Sequence, residues 1–96
     1  MPSLSTPHLS PTTTRVLLVD DHAVLRDGLA ALLNATPHLR VVADAGDGVE
    51  ALAALERTPV DVAVVDVSMP KMNGIEFTER ARARWPDLQV VVLSAN

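Results

Sequence analysis

Four short apolar runs recur along the chain, and their alternation with longer segments limits the fold more than any other feature. Runs one, three and four are apolar on both faces, as expected of strands covered by helices on each side. The second run alternates less cleanly and is predicted to lie nearer an edge. Strands that alternate with helices indicate βαβ units and a parallel sheet. The runs are residues 16–19, 39–43, 60–65 and 90–93.

The first predicted helix covers residues 23–34. Its leucines follow the i, i+4, i+7, i+8 spacing of one helix face, and Arg26 and Asp27 between them are expected to face solvent. These leucines are Leu25, Leu29, Leu32 and Leu33.

Two further helices are predicted from good helix formers and stop signals. The second covers residues 49–57 and ends before a Thr-Pro pair. In the third, Phe77, Ala81 and Trp85 recur every four residues until Pro86 stops the helix. The predicted fold class is therefore α/β, with a doubly wound parallel sheet.

Composition excludes several kinds of function. A net charge of -4 over 96 residues argues against nucleic-acid binding by this segment. The absence of cysteine excludes disulfides and thiolate zinc sites, which fits a cytoplasmic protein. Residues 1–14 resemble no secretory signal and are predicted to form a disordered Ser/Thr/Pro-rich tail. No apolar run is long enough to span a membrane.

Acidic and hydroxyl side chains follow the predicted strands, where a doubly wound sheet binds its ligands. Asp20 and Asp21 follow the first run, Asp66 the third and Ser94 the fourth. If the first and third strands are neighbours, three carboxylates meet, and their repulsion calls for a cation such as Mg²⁺. A carboxylate beside Mg²⁺ can attack a phosphoryl group and form an aspartyl phosphate, with Ser94 donating to a phosphoryl oxygen.

Each of these residues also has a purely structural interpretation. Asp21 alone could cap the following helix, and Asp66 could be an ordinary turn residue. His22 is interpreted as a solvated residue at the helix start, and no histidine is assigned to a metal. The acidic residues after the second run are interpreted as a solvated loop and helix start; they are Asp44, Asp47 and Glu50. The two methionines near Asp66, Met69 and Met72, are interpreted as packing residues.

Three motifs, in order and spacing, resemble the receiver domains of two-component response regulators. They are Val-Leu-Leu-Val-Asp-Asp-His at residues 16–22, Asp-Val-Ser-Met-Pro-Lys-Met-Asn-Gly at 66–74 and Val-Val-Leu-Ser-Ala at 91–95. Val-Leu-Arg-Asp-Gly-Leu at residues 24–29 resembles the NarL/FixJ subgroup, whose receivers usually precede a LuxR-type helix-turn-helix domain. The resemblance implies a flavodoxin-like fold of strand order 2-1-3-4 over residues 15–96.

The resemblance also implies a role for each matching residue. Asp66 would be the phosphoacceptor, Asp21 a direct Mg²⁺ ligand and Asp20 a ligand through water. The backbone carbonyl of Ser68 would complete the metal site, and Ser94 would be the switch hydroxyl. Pro70 and Gly74 would shape the loop beneath the site. A histidine kinase would dock over the first helix and donate from its phosphohistidine, and an output domain would regulate transcription. Such a receiver supports its own phosphorylation and is not a turnover enzyme.

The chain departs from the family pattern after its fourth run. The family has a fifth strand and two further helices, and its site lysine at the end of the fifth strand is also absent here. Lys71, the single lysine of the chain, does not replace it. The fourth strand would be an apolar edge, which favours dimerisation or aggregation. We hypothesise a piece of a longer regulator, or a truncated product, whose fold is marginal alone and whose usual output is lost.

Three alternatives stay open from the sequence. The first is a receiver remnant that sequesters the kinase or forms a homodimer without productive phosphorylation. The second is an aspartate-based phosphatase of the haloacid dehalogenase kind, but that family needs an acid where Ser68 stands. The third is a flavin- or dinucleotide-binding fold, whose phosphate loop Asp20 and Asp21 would repel.

Overall fold

The computed structural model describes residues 12–67, 69 and 72–93. It contains the predicted four strands and three helices in alternation, so the α/β prediction is confirmed. Residues 1–11 lie outside the described residues, and the tail predicted for residues 1–14 stays a prediction, although the first strand already includes Thr14. The elements are β1 (Thr14–Val19), α1 (Ala23–Asn34), β2 (Leu39–Ala45), α2 (Gly48–Arg57), β3 (Val62–Asp66), α3 (Gly74–Arg84) and β4 (Gln89–Leu93).

The four strands form one parallel sheet in the order β2-β1-β3-β4. This is the order that the resemblance implied, and β2 lies at an edge as predicted. β1 and β3 are direct neighbours, with Val19 opposite Val65. Because both strands run the same way, the residues that follow them meet at one edge of the sheet.

One face of the central strands packs against α2 and α3. Alternate residues of β1 and β3 on this face are fully buried, as the two-residue period of a strand requires. Phe77 and Ala81 of α3 are also fully buried in this core. Met69 and Met72 belong to the same core, so their interpretation as packing residues is confirmed. The strand residues are Leu17, Val19, Ala63 and Val65.

Helix α1 lies beside β1 and β2 but has no buried residue. Its leucine face is largely open: the exposed fraction is 51% for Leu25 and 68% for Leu32. The prediction that Arg26 faces solvent is wrong, because its side chain is only 21% exposed and reaches back to the end of β1. Among the described residues, α1 is the longest helix with 12 residues, and no helix is long and apolar enough to cross a membrane.

Strand β4 forms the other edge of the described sheet. Its last three residues, Val91, Val92 and Leu93, are 47%, 39% and 43% exposed. The expectation of an uncovered apolar edge at this strand is therefore confirmed. An apolar strand with a free backbone edge is a surface to which another strand can add.

Candidate functional site

Four side chains with metal-binding atoms meet at the carboxyl ends of β1 and β3. Asp20 follows β1 and Asp66 is the last residue of β3, and both are buried. Asp21 and His22 begin the connection to α1. One ligand atom from each of Asp20, Asp21, His22 and Asp66 lies within 4.8 Å of the others. The structure thus brings together the three carboxylates that the strand endings predicted.

The position of Asp20 is set by hydrogen bonds on several sides. Its backbone N–H donates to the Ala45 carbonyl of β2 at 3.0 Å. Its carboxylate Oδ1 accepts from the backbone N–H of His22 at 2.7 Å. Its carbonyl oxygen accepts from the Arg26 guanidinium. Asp20 is therefore fixed at the edge of the sheet before any ligand binds.

The imidazole of His22 lies between two carboxylates. Its Nδ1 is 3.1 Å from Asp20 Oδ1 and 3.0 Å from Asp21 Oδ1. The N-cap residue of α1 is His22 itself, without a side-chain capping bond, so the interpretation of Asp21 as a helix cap is wrong. His22 was not expected in the site, because the sequence does not show that its imidazole turns back toward the two aspartates directly before it.

Gly74 allows α3 to begin directly beneath Asp66. A Cβ at this position would lie 2.9 Å from the Asp66 carbonyl oxygen and 3.0 Å from Val67 Cα. The Gly74 N–H donates to the Val67 carbonyl at 3.2 Å, and the Val67 N–H donates to the Leu93 carbonyl at 3.1 Å. This geometry agrees with the role expected of Gly74 in shaping the loop. The other residues expected at the site, Ser68, Pro70 and Ser94, lie outside the described residues, as does Lys71.

The positively charged side chain of Arg26 lies next to the site, which was not expected from the sequence. Besides its bond to the Asp20 carbonyl, its Nε lies 3.3 Å from Asp44 Oδ1, as an ion pair rather than an aligned hydrogen bond. The long side chain lets a residue on the helix flank reach the sheet edge. Its one sequence signal was its place in the first turn of a helix that follows an acidic pair.

One residue of the predicted solvated acidic segment, Asp47, is buried, whereas Asp44 and Glu50 are exposed as predicted. Asp47 is buried, which corrects its interpretation as solvated, and its Oδ1 caps α2 by accepting from the Glu50 N–H at 2.9 Å. Glu50 Oε1 accepts from the N–H of Gly46, the residue before the cap, at 3.1 Å. Both hydrogen bonds stabilise the start of α2.

The donor set fits a hard divalent cation. Three carboxylates meet within 4.8 Å and two of them are buried, so negative charge is concentrated at a point where a bound cation would offset it. Carboxylate oxygens are ligands that Mg²⁺ accepts while it keeps several waters. Two of the carboxylates, Asp20 and Asp66, come from strand ends whose separation is set by the sheet.

The family model for the response regulator receiver domain matches residues 16–96. The transcriptional activator DevR/DosR of Mycobacterium tuberculosis is 47% identical over 81 residues, which are 84% of this chain and 37% of that protein. DegU of Brevibacillus brevis is 40% identical over 80 residues, 83% of this chain and 34% of that protein. The chain thus spans about a third of the length of these relatives.

The receiver domain of the putative response regulator NarL from M. tuberculosis superimposes with a TM-score of 0.82 at 32% identity, covering 90% of this chain and 69% of that one. As its motifs and its resemblance to the NarL/FixJ subgroup predicted, the chain belongs to the response regulator receiver family of two-component systems.

Proposed function

We propose that Asp66 accepts a phosphoryl group from a histidine kinase, with Mg²⁺ held by Asp20, Asp21, Asp66 and the backbone carbonyl of Ser68. The observation that carries the proposal is the convergence of these three carboxylates, within 4.8 Å of one another, at the carboxyl ends of β1 and β3. Membership in the receiver family supports the same assignment.

In the proposed reaction, a carboxylate oxygen of Asp66 forms a bond to phosphorus. The bond between phosphorus and the kinase's histidine nitrogen breaks, and the nitrogen leaves with the electron pair. Bound Mg²⁺ would offset the negative charge of the carboxylates and of the phosphoryl oxygens. Asp20, fixed by its backbone bond to Ala45, keeps its carboxylate beside Asp66. Ser94 would donate its hydroxyl to a phosphoryl oxygen.

The proposed partners follow from the surface as well as from the family. The kinase would dock over α1, whose exposed Leu25 and Leu32 offer an apolar contact surface next to the site. Residues 15–96 would act as a cytoplasmic receiver unit that is phosphorylated without being a turnover enzyme. Regulation of transcription would need an output domain, because a segment with net charge -4 is poorly suited to binding DNA itself.

The test is intact mass spectrometry after incubation with Mg²⁺ and acetyl phosphate. We expect a single phosphoryl adduct that disappears in Asp66→Asn and when Mg²⁺ is chelated. Asp61→Asn is the matched control, because Asp61 lies at the opposite end of β3, where it pairs with Arg15. Relative to the folded fraction measured by circular dichroism, its adduct should equal that of the unchanged chain.

Circular dichroism of each variant separates loss of the site from loss of the fold. If the unchanged chain is folded and gives no adduct, or if Asp66→Asn still gives one, Asp66 is not the acceptor and the proposal is wrong.

A further inference from the structure

We infer that His22 is a nitrogen ligand of the cation site and shifts its preference toward divalent transition-metal ions such as Co²⁺. This inference rests on the cation site of the proposed function and adds a ligand that the acidic residues alone do not supply. It concerns which ions the site selects.

The distances around His22 match those between neighbouring ligands of one ion. Ligands in an octahedral site lie about 2.1 Å from the ion, so adjacent ligand atoms are about 3 Å apart. His22 Nδ1 lies 3.1 Å from Asp20 Oδ1 and 3.0 Å from Asp21 Oδ1. The fourth ligand atom, from Asp66, lies within 4.8 Å of the ligand atoms of the other three residues. Opposite ligands of such an ion are about 4.2 Å apart, so the four ligand atoms need to close by at most about 0.6 Å for one ion to contact all of them.

The backbone holds the imidazole in this place. The N–H of His22 donates to Asp20 Oδ1 at 2.7 Å, and His22 occupies the N-cap position with an extended backbone. The ring is 69% exposed, so an ion can reach it from solvent without displacing the core. The ligand is thus both positioned and accessible.

The chemistry of imidazole predicts the direction of the preference. Mg²⁺ strongly favours oxygen ligands, whereas Co²⁺, Ni²⁺ and Zn²⁺ bind imidazole well, and affinity rises from Mn²⁺ through Co²⁺ to Ni²⁺. An oxygen-only site already binds Co²⁺ more tightly than Mg²⁺. The informative quantity is therefore how far removal of the imidazole changes the ratio of the two affinities.

The experiment measures binding of Mg²⁺ and Co²⁺ to the full chain by calorimetry, at about pH 8 because metals bind the neutral imidazole. The variant is His22→Asn, which keeps a polar side chain at the N-cap. His38→Asn is the matched control, since His38 lies in the turn before β2 and its φ of 69° suits Asn. The absorption bands of bound Co²⁺ report directly whether a nitrogen ligand is present.

We expect His22→Asn to weaken Co²⁺ binding about tenfold or more, to weaken Mg²⁺ binding less than about threefold, and to shift the Co²⁺ bands. His38→Asn should change none of these. If His22→Asn weakens the binding of both ions equally and leaves the Co²⁺ bands unchanged, the inference is overturned. His22 would then only position Asp20 and Asp21. Failure of the unchanged chain to bind either ion would instead remove the cation site of the proposed function, and the inference with it.

Discussion

Replacement of Gly74 by alanine tests whether α3 begins against the backbone of the acceptor residue. The added Cβ would lie 2.9 Å from the Asp66 carbonyl oxygen and 3.0 Å from Val67 Cα. Both are backbone atoms and cannot rotate away, so either α3 or the end of β3 must move. Overpacking of this kind costs about 1–3 kcal/mol, and contact with backbone favours the upper end of that range.

The net effect includes a gain from helix propensity. Alanine is better than glycine in a helix by at most about 1 kcal/mol. The expected result is therefore a loss of about 2 kcal/mol in the free energy of unfolding, or about 30-fold in the ratio of folded to unfolded chain. Under conditions where the variant is still folded, phosphorylation of Asp66 should also be slower, because the shift moves the acceptor.

Gly28→Ala is the matched control for this substitution. Gly28 lies within α1, and a Cβ there would meet nothing within 4 Å. The same change should therefore stabilise the chain by about 0.5–1 kcal/mol. Urea unfolding measures both variants, followed by circular dichroism and by the fluorescence of Trp85, the single tryptophan, which packs against the core.

The two glycine substitutions should change stability in opposite directions. If Gly74→Ala is as stable as the unchanged chain while Gly28→Ala gains stability, α3 does not begin against β3 at the described distance. The steric argument for Gly74 would then be wrong.

Two further substitutions test local features of the fold. Asp47→Ala removes the cap of α2 and should lower the free energy of unfolding, measured with urea, by about 1 kcal/mol. Asp47→Asn keeps a capping oxygen and should retain most of the stability of the unchanged chain. Equal stability of the two variants would contradict the capping role. The Arg15 guanidinium, through its hydrogen bonds, holds the pKa of Asp61 below its usual range. The ion pair therefore stabilises the fold above about pH 4, the ordinary pKa of an aspartate. This stabilisation is lost as the pH falls through the lower pKa that Asp61 has in the folded chain. Asp61→Asn should therefore be less stable than the unchanged chain at neutral pH, and the difference in unfolding midpoint should close in strong acid; a difference that does not vary with pH would refute the ion-pair explanation.

The secondary structure could be predicted closely from local patterns. Residues 23–34 were predicted as a helix and α1 has those bounds, because leucine spacing and helix signals depend on neighbours in sequence. Strand ends were less accurate: β3 was predicted over residues 60–65 but covers Val62–Asp66. Hydrogen bonding to the adjacent strands, rather than the apolar run itself, sets where a strand begins and ends.

Errors in the site came from side-chain positions that helix periodicity and local polarity do not show. Arg26 was placed in solvent because its helix position lies beside the leucine face, but its long side chain reaches the Asp20 carbonyl. Asp47 was interpreted as solvated because it stands in an acidic segment, yet it is buried where α2 begins. In each case residue type and spacing were interpreted correctly, but the path of a long side chain and the packing around a helix start decide burial, and neither follows from spacing.

The sequence by itself determined which elements form and which residues stand at the carboxyl end of each strand. A parallel sheet then requires Asp20 and Asp66 to share one edge, although 46 positions separate them in the chain. Only the tertiary structure decided that Asp66 lies beside Asp20, Asp21 and His22, and that Leu25, Leu32 and the end of β4 stay exposed. Periodicity shows which residues share a face, whereas strand order and helix packing decide what covers that face and which side chains come within the reach of a single ion.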